Sequence, residues 1–138
     1  MHVHDAEGWR LVRDPARQPF SVLLGGEGWA AEFRPEEAEA LAHGLQRLQG
    51  QHQALLGSLM AEEAISLELE VAVGAGSLWL ELEGDRQHWG LRFVLSPDDG
   101  QRAVEGSWTP EASTALLAAL SSQWPAVDGS GADTRSEG

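Results

Sequence analysis

Alternating apolar and polar residues in the second half of the chain predict an antiparallel sheet. In ISLELEVAV, residues 65–73, every second side chain is apolar and two glutamates stand between them. The same period of two returns in LWLELEG, HWGLRFVL and QRAVEGSW, with GAGS, GDRQ and PDDG as turn sequences. The pattern predicts a four-stranded meander with one apolar face and one charged face.

The first half of the chain predicts shorter strands followed by a long helix. GWRLVRD, FSVLLGG and EGWAAEFR are separated by PARQP and by glycines, which favours three short antiparallel strands. From Pro35 to about Glu62, leucines recur at spacings of three and four, as on one face of a helix. Pro35 suits the first turn of that helix, where an amide hydrogen is not needed.

A second helix begins with a similar signal and indicates a repeat. Thr109 is a helix cap, Pro110 is a first-turn proline, and the apolar pattern ends before Pro125. RPEEAEALAHGL at 34–45 and TPEASTALLAAL at 109–120 agree at five of twelve positions, with an offset of 75 residues. We therefore predict an α+β fold with two antiparallel sheet-plus-helix units in tandem, βββα and then ββββα.

These elements predict one domain over residues 1–124, with halves at about 7–64 and 65–124. Residues 125–138 consist mainly of small and charged residues, so we expect a disordered acidic tail there. Trp29 and Trp108 stand at equivalent places before the two helices. This recurrence favours a structural role for both, in the space where each helix turns back onto its sheet, over a role in binding.

The charge of the chain limits its partners. Twenty-two acidic residues stand against nine basic ones, which gives a net charge of −13, and all nine basic residues are arginine. An acidic surface of this kind repels nucleic acid and anionic lipid. The absence of cysteine excludes disulfides and thiolate chemistry. MHVHDAEGW lacks the profile of a signal peptide and no run of eighteen apolar residues occurs, so we expect a cytoplasmic protein without a membrane partner.

The charged face of the predicted meander holds the best candidate for an interaction patch. Four-residue turns would place Trp79 opposite Arg92, and Arg92 opposite Glu105, in one row across three strands. One interpretation is that this row only holds the sheet in register. The other is a recognition patch that also includes Glu70 and Glu81. Such a patch would suit a basic protein partner, or it would be buried in a homo-oligomer, of which a dimer is favoured.

No residue pattern specifies a reaction, and we expect a non-enzymatic protein without a cofactor. Alternation disperses the glutamates of the charged face, which disfavours a calcium site or an acid–base pair. His2, His4 and Asp5 could bind a metal adventitiously, and no third ordered histidine is indicated for a zinc site.

GWRL, GGEGWAAEF, LWLELEG and AVEGSWTPEA together resemble a small uncharacterised cyanobacterial family, domain of unknown function eighteen-eighteen, over residues 7–124. The resemblance implies a fold similar to that of Whirly proteins and related single-stranded-DNA-binding transcriptional regulators. It also implies a second functional hypothesis, the binding of single-stranded DNA or RNA. Arg10, Arg13, Arg17 and Trp9 are the contact candidates for this hypothesis, while the net charge of −13 and the lack of lysine argue against it.

Overall fold

The computed structural model describes residues 1–98 and 102–126. Within them, eight strands form two antiparallel sheets of four, and each group of four strands is followed by an α-helix. The prediction of an α+β fold with two antiparallel sheet-plus-helix units is confirmed. Sheet A contains β1 His2–Ala6, β2 Trp9–Arg13, β3 Val22–Gly26 and β4 Trp29–Phe33, and sheet B contains β5 Ile65–Val73, β6 Gly76–Gly84, β7 Trp89–Ser96 and β8 Val104–Trp108. The helices are α1 Pro35–Leu55 and α2 Pro110–Gln123.

The first unit has four strands where the sequence analysis predicted three, so the order of elements is ββββα twice. The prediction missed β1, which pairs with β2 from His2 opposite Arg13 to Ala6 opposite Trp9. β1 is an edge strand with mostly exposed side chains, so burial imposes no apolar alternation on its sequence. A signal was nevertheless present, because residues 7–9 repeat the Glu-Gly-Trp of residues 27–29. In both tripeptides the Glu-Gly pair forms a two-residue turn between paired strands and the tryptophan begins the next strand. The glycine φ values are 86° and 83°.

Helix α1 packs on β5 and β6 of sheet B and not on the sheet that precedes it in the chain. Gly44 makes the close approach possible, because a Cβ atom at this position would lie 2.2 Å from Leu80 Cδ1. The helix ends at Leu55 and continues as a single 3-10 turn, Leu56–Ser58, so the predicted end near Glu62 was too late. Beyond this turn Met60 is 76% exposed, and the helix has no further apolar surface to cover.

Helix α2 lies against β2 of sheet A and against β7 and β8 of sheet B. Its predicted start is confirmed, since Thr109 Oγ1 accepts a hydrogen bond from the amide of Ala112 at 3.3 Å and Pro110 is the first helical residue. Pro35 holds the same position in α1. The predicted disordered tail, residues 125–138, lies outside the described residues apart from its first two residues.

Two tryptophans join the sheets through hydrogen bonds that cross between the units. Trp29 Nε1 donates to the Ser107 carbonyl at 2.9 Å, and Trp108 Nε1 donates to the Gly25 carbonyl at 2.8 Å. The two indole rings meet edge-on with their centroids 5.1 Å apart. A Cβ atom on Gly106 would lie 2.6 Å from Trp29 Cζ2, so glycine is needed there for the contact. The tryptophans therefore lie at the contact between the two sheets.

Candidate interaction face

The outer face of sheet B is covered by none of the described helices and strands. Leu78, Leu80 and Leu82 of β6 are fully buried on the inner side, where α1 packs, so the alternate residues point outward. We call the outward surface the acidic face. Its outward strand positions hold five glutamates and one arginine, namely Glu68, Glu70, Glu81, Glu83, Glu105 and Arg92.

Trp79 lies in the middle of the acidic face and is held from two sides. Its Nε1 atom donates to Glu68 Oε1 on β5 at 3.1 Å. On β7, the guanidinium carbon of Arg92 lies 5.1 Å from the centroid of the Trp79 ring, within the range of a cation–π contact. The indole is partly exposed. It is therefore an oriented aromatic surface among carboxylates that a partner can reach.

Glu81 connects Arg92 to the first strand of the sheet. Ser66 Oγ donates to Glu81 Oε2 at 2.9 Å, and Arg92 Nη1 lies 3.9 Å from Glu81 Oε1. The Glu81 side chain is only 16% exposed, whereas that of Arg92 is 53% exposed. Glu81 thus acts mainly within the sheet, while Arg92 remains available to solvent. Because the distance between Arg92 and Glu81 is long for an ion pair and Arg92 is exposed, this pair contributes little to stability.

The predicted row of Trp79, Arg92 and Glu105 was wrong by two residues at each step. Trp79 is paired with Val94, and Val94 with Glu105, while Arg92 stands between Glu81 and Ser107. The contact between Trp79 and Arg92 is present, but as a diagonal pair. Glu70 is directly opposite Trp79 on β5 and so remains beside it.

The turn between β6 and β7 explains the first part of this error. Gly84 still pairs with Trp89, so the turn consists of residues 85–88 and not of the predicted GDRQ. The Asp85 carboxylate accepts hydrogen bonds from the amides of His88 at 2.7 Å and Gln87 at 2.9 Å. These two bonds, first that from His88 and then that from Gln87, lower the pKa of Asp85. The predicted PDDG turn between β7 and β8 lies partly outside the described residues.

The four candidates for nucleic-acid contacts do not share one surface. Trp9 and Arg13 lie on the same, inner side of β2 as the buried Leu11, whereas Arg10 points outward. Arg13 Nη1 donates to the Gln123 carbonyl at 3.3 Å, and its guanidinium carbon lies 4.8 Å from the centroid of a Trp124 ring. Arg17 Nη2 lies 2.5 Å from Glu32 Oε2. Two of the three arginines are thus engaged by groups of the chain itself.

A second charged cluster was not anticipated from the sequence. Glu37, in the first turn of α1, is buried and accepts hydrogen bonds from the amide of Arg34 at 2.9 Å and from Arg102. The guanidinium carbons of Arg34 and Arg102 lie 5.6 and 4.6 Å from the centroid of the Phe20 ring. The members come from three distant parts of the chain, so no local sequence pattern could have indicated the cluster.

Neither a metal site nor a membrane-spanning helix is found in residues 1–98 and 102–126. No group of three or more histidine, aspartate or glutamate residues in this part of the chain is arranged to hold a metal ion. His4 has joined β1, where its Nε2 atom lies 3.5 Å from Gln123 Nε2. Neither helix in the same residues is long and apolar enough to cross a membrane.

Comparison with known proteins identifies the family. A model described as Domain of unknown function (DUF1818) matches residues 4–123. The chain belongs to this family. Among solved structures, it is similar to a protein of unknown function from Prochlorococcus sp. NATL2A, which is described as coming from the DUF155 family. The two chains are 33% identical, the TM-score is 0.82, and the match covers 90% of this chain and 99% of the other. A search of curated proteins finds no match.

Proposed function

We propose that this DUF1818 protein is a non-enzymatic binding module of the cytoplasm that docks a basic protein segment on the acidic face. The observation that carries the proposal is the position of Trp79, which is held between Glu68 and Arg92 in the middle of an uncovered sheet. A partly exposed, oriented tryptophan is the kind of residue that dominates binding energy at protein interfaces. The surrounding carboxylates would attract cationic side chains and steer their approach.

Charge favours a basic partner over a second copy of the same chain. In a symmetric dimer through the acidic face, the five glutamates of one copy would meet those of the other. Like charges at such short range oppose association, and the net charge of −13 adds to the repulsion. The proposal therefore assigns this face to a basic partner and not to self-association.

The nucleic-acid hypothesis is not favoured by any contact of the described residues. A phosphate-binding surface needs several cations on one face, whereas Arg10 and Arg13 lie on opposite sides of β2 and Arg17 pairs with Glu32. The likeness to Whirly proteins stays a prediction from the sequence. Family membership by itself does not supply a ligand.

The proposal can be tested with a fluorescein-labelled heptapeptide, Lys-Val-Lys-Val-Lys-Val-Lys, in anisotropy titrations at 50 mM and 300 mM salt. We expect binding that weakens with salt and that weakens at least tenfold in Trp79→Ala. Glu70→Gln should reduce affinity, whereas Glu39→Gln, which removes the same charge from the exposed surface of α1, should leave it nearly unchanged. Equal effects of Glu70→Gln and Glu39→Gln would show that the net charge of the protein, and not one defined face, attracts the peptide. That result would refute the proposal. A labelled single-stranded oligonucleotide serves as the counter-probe, and no binding of it is expected.

A further inference from the structure

A cleft separates the free edges of β4 and β8 beside the acidic face. It measures about 430 Å³ and is bordered by Ala30, Ala31 and Glu32 on one side and by residues 102–105 on the other. Each of these strands is the last in its sheet, so neither pairs with another of the described strands on the side of the cleft. The two sheet edges are thus close together without forming a backbone ladder.

Side chains bridge the cleft at both ends. Trp29 Nε1 donates to the Ser107 carbonyl at 2.9 Å, and Arg102 Nη2 donates to the Glu32 carbonyl at 3.4 Å. Because residue numbers rise along β4 and fall along β8 between these bridges, the two edges run antiparallel. In a ladder, backbone amides donate directly to the carbonyls of the neighbouring strand. Here side chains make the connection, so the two edges are farther apart than the 4.7–4.9 Å of paired strands. The bridges are three residue steps apart on β4 and five on the side of β8, and three steps correspond to about 10 Å of extended chain.

The same bridges reveal which backbone groups face the cleft. In an antiparallel pair, alternate residues direct their amide and carbonyl groups to the partner strand and the others direct them away. The carbonyls of Glu32 and Ser107 point into the cleft, so the backbone groups of Ala30 and Glu105, two positions away, do so as well. Ala30 and Glu105 are both exposed. Each edge therefore offers hydrogen-bonding groups to an added strand.

The side chains around the cleft suit a particular kind of strand. Ala31, Val104 and Phe20 form an apolar floor, while Glu32 and Glu105 stand on the outer rim. Charged residues on sheet edges usually prevent pairing with other copies of a protein. Here the Glu32 carboxylate is already paired with Arg17, so Glu105 is the rim carboxylate that would repel another acidic chain and attract lysine or arginine. A strand with basic residues pointing outward and small apolar residues pointing to the floor matches this arrangement.

We propose that the cleft between β4 and β8 binds an extended segment of a basic partner by strand addition, with backbone hydrogen bonds to the free edges of both sheets. This inference rests on the proposed function, because it names the part of the basic partner that is bound and how. Main-chain hydrogen bonds supply affinity in this mode of recognition, and alternate side chains supply specificity. Glu105 belongs to both surfaces, so the segment in the cleft would continue directly onto the acidic face.

The decisive probe is the same Lys-Val heptapeptide and its twin with every valine N-methylated, which keeps the charge and removes alternate backbone donors. For the wild-type protein we expect the twin to bind at least tenfold more weakly. Ala30→Pro, which removes the amide donor that faces the cleft, should weaken the parent peptide several-fold. Ala30→Ser keeps that donor and serves as the matched control. Proline is tolerated at such a position of an edge strand, and circular dichroism will verify the fold.

The outcomes separate the two proposals. If parent and twin bind equally and Trp79→Ala weakens both, strand addition is overturned and the acidic face stands. If neither peptide binds at 50 mM salt, both proposals fail. If the twin is much weaker and Ala30→Pro acts as expected, the cleft is the site of the extended segment. Should Ala30→Pro not fold, the comparison of the two peptides on the wild-type protein still decides.

Discussion

Two glycines of α1 should respond in opposite ways to substitution by alanine. In a helix interior, Gly→Ala is worth about 1 kcal/mol in favour of the folded state, because alanine has the higher helix propensity. At Gly50 a new Cβ atom meets no atom within 4 Å, so the full gain of about 1 kcal/mol is expected. At Gly44 the new Cβ would lie 2.2 Å from Leu80 Cδ1 and 3.6 Å from Leu69 Cδ2. Leu80 is fully buried, so its side chain cannot turn away into free space.

Overpacking of this kind costs typically 1–3 kcal/mol, which exceeds or cancels the gain in helix propensity. We therefore expect Gly44→Ala to be neutral to destabilising by about 2 kcal/mol, and the two variants to differ by about 1–3 kcal/mol. Urea denaturation followed by circular dichroism measures both, and an unchanged slope with urea shows that the comparison is valid. Equal stabilisation by the two substitutions would refute the close packing of α1 on β6.

Further predictions concern the charged cluster, the tryptophans and the turn after β6. Glu37→Gln leaves Arg102 without its carboxylate partner. The free energy of unfolding should fall by about 3 kcal/mol, the lower end of the range for breaking a buried ion pair. A loss below about 1 kcal/mol in urea denaturation would contradict a buried ion pair. Trp108→Phe removes a hydrogen bond to the buried Gly25 carbonyl and should cost more than Trp29→Phe, whose partner Ser107 is exposed and can bond to water. Equal losses in thermal unfolding would argue against the difference in burial. The folded-state pKa of Asp85 lies below its unfolded value of about 3.9, so its contribution is present above that pH and is lost as pH falls through the folded pKa. The stability difference between wild type and Asp85→Asn should shrink below about pH 4, and a difference that is constant from pH 3 to pH 7 would exclude this role.

The meander of sheet B was predictable because burial on one face imposes a period of two on its sequence. Leu78, Leu80 and Leu82 are fully buried as the alternation predicts. The two helix starts were predictable for a different reason, since a proline at the first position is a local signal. In both cases the information lies within a few residues of the element that it specifies.

Register and long-range contacts were not predictable in this way. A shift of two residues keeps every side chain on its face, so the alternation that located β6 and β7 is silent about the pairing of Trp79 with Val94. The turn geometry decides the register, and it depends on the hydrogen bonds that Asp85 accepts. The candidate patch was therefore located on the correct face, while the partners of Arg92 within it were wrong.

The placement of the helices means that the repeat in the sequence does not correspond to two independent bodies. α1 belongs to the first unit in the chain, yet it covers β5 and β6 of the second. α2 belongs to the second unit and lies on β2 of the first as well as on β7 and β8 of its own unit. The first unit therefore needs the second for the burial of α1, α2 is shared between the two sheets, and the crossed hydrogen bonds of Trp29 and Trp108 fix the sheets against each other. Because both helices occupy the apolar inner faces, the described residues leave the outer face of sheet B and the gap between β4 and β8 uncovered. The packing that makes the fold a single unit is thus also the reason why the proposed binding surfaces lie where they do.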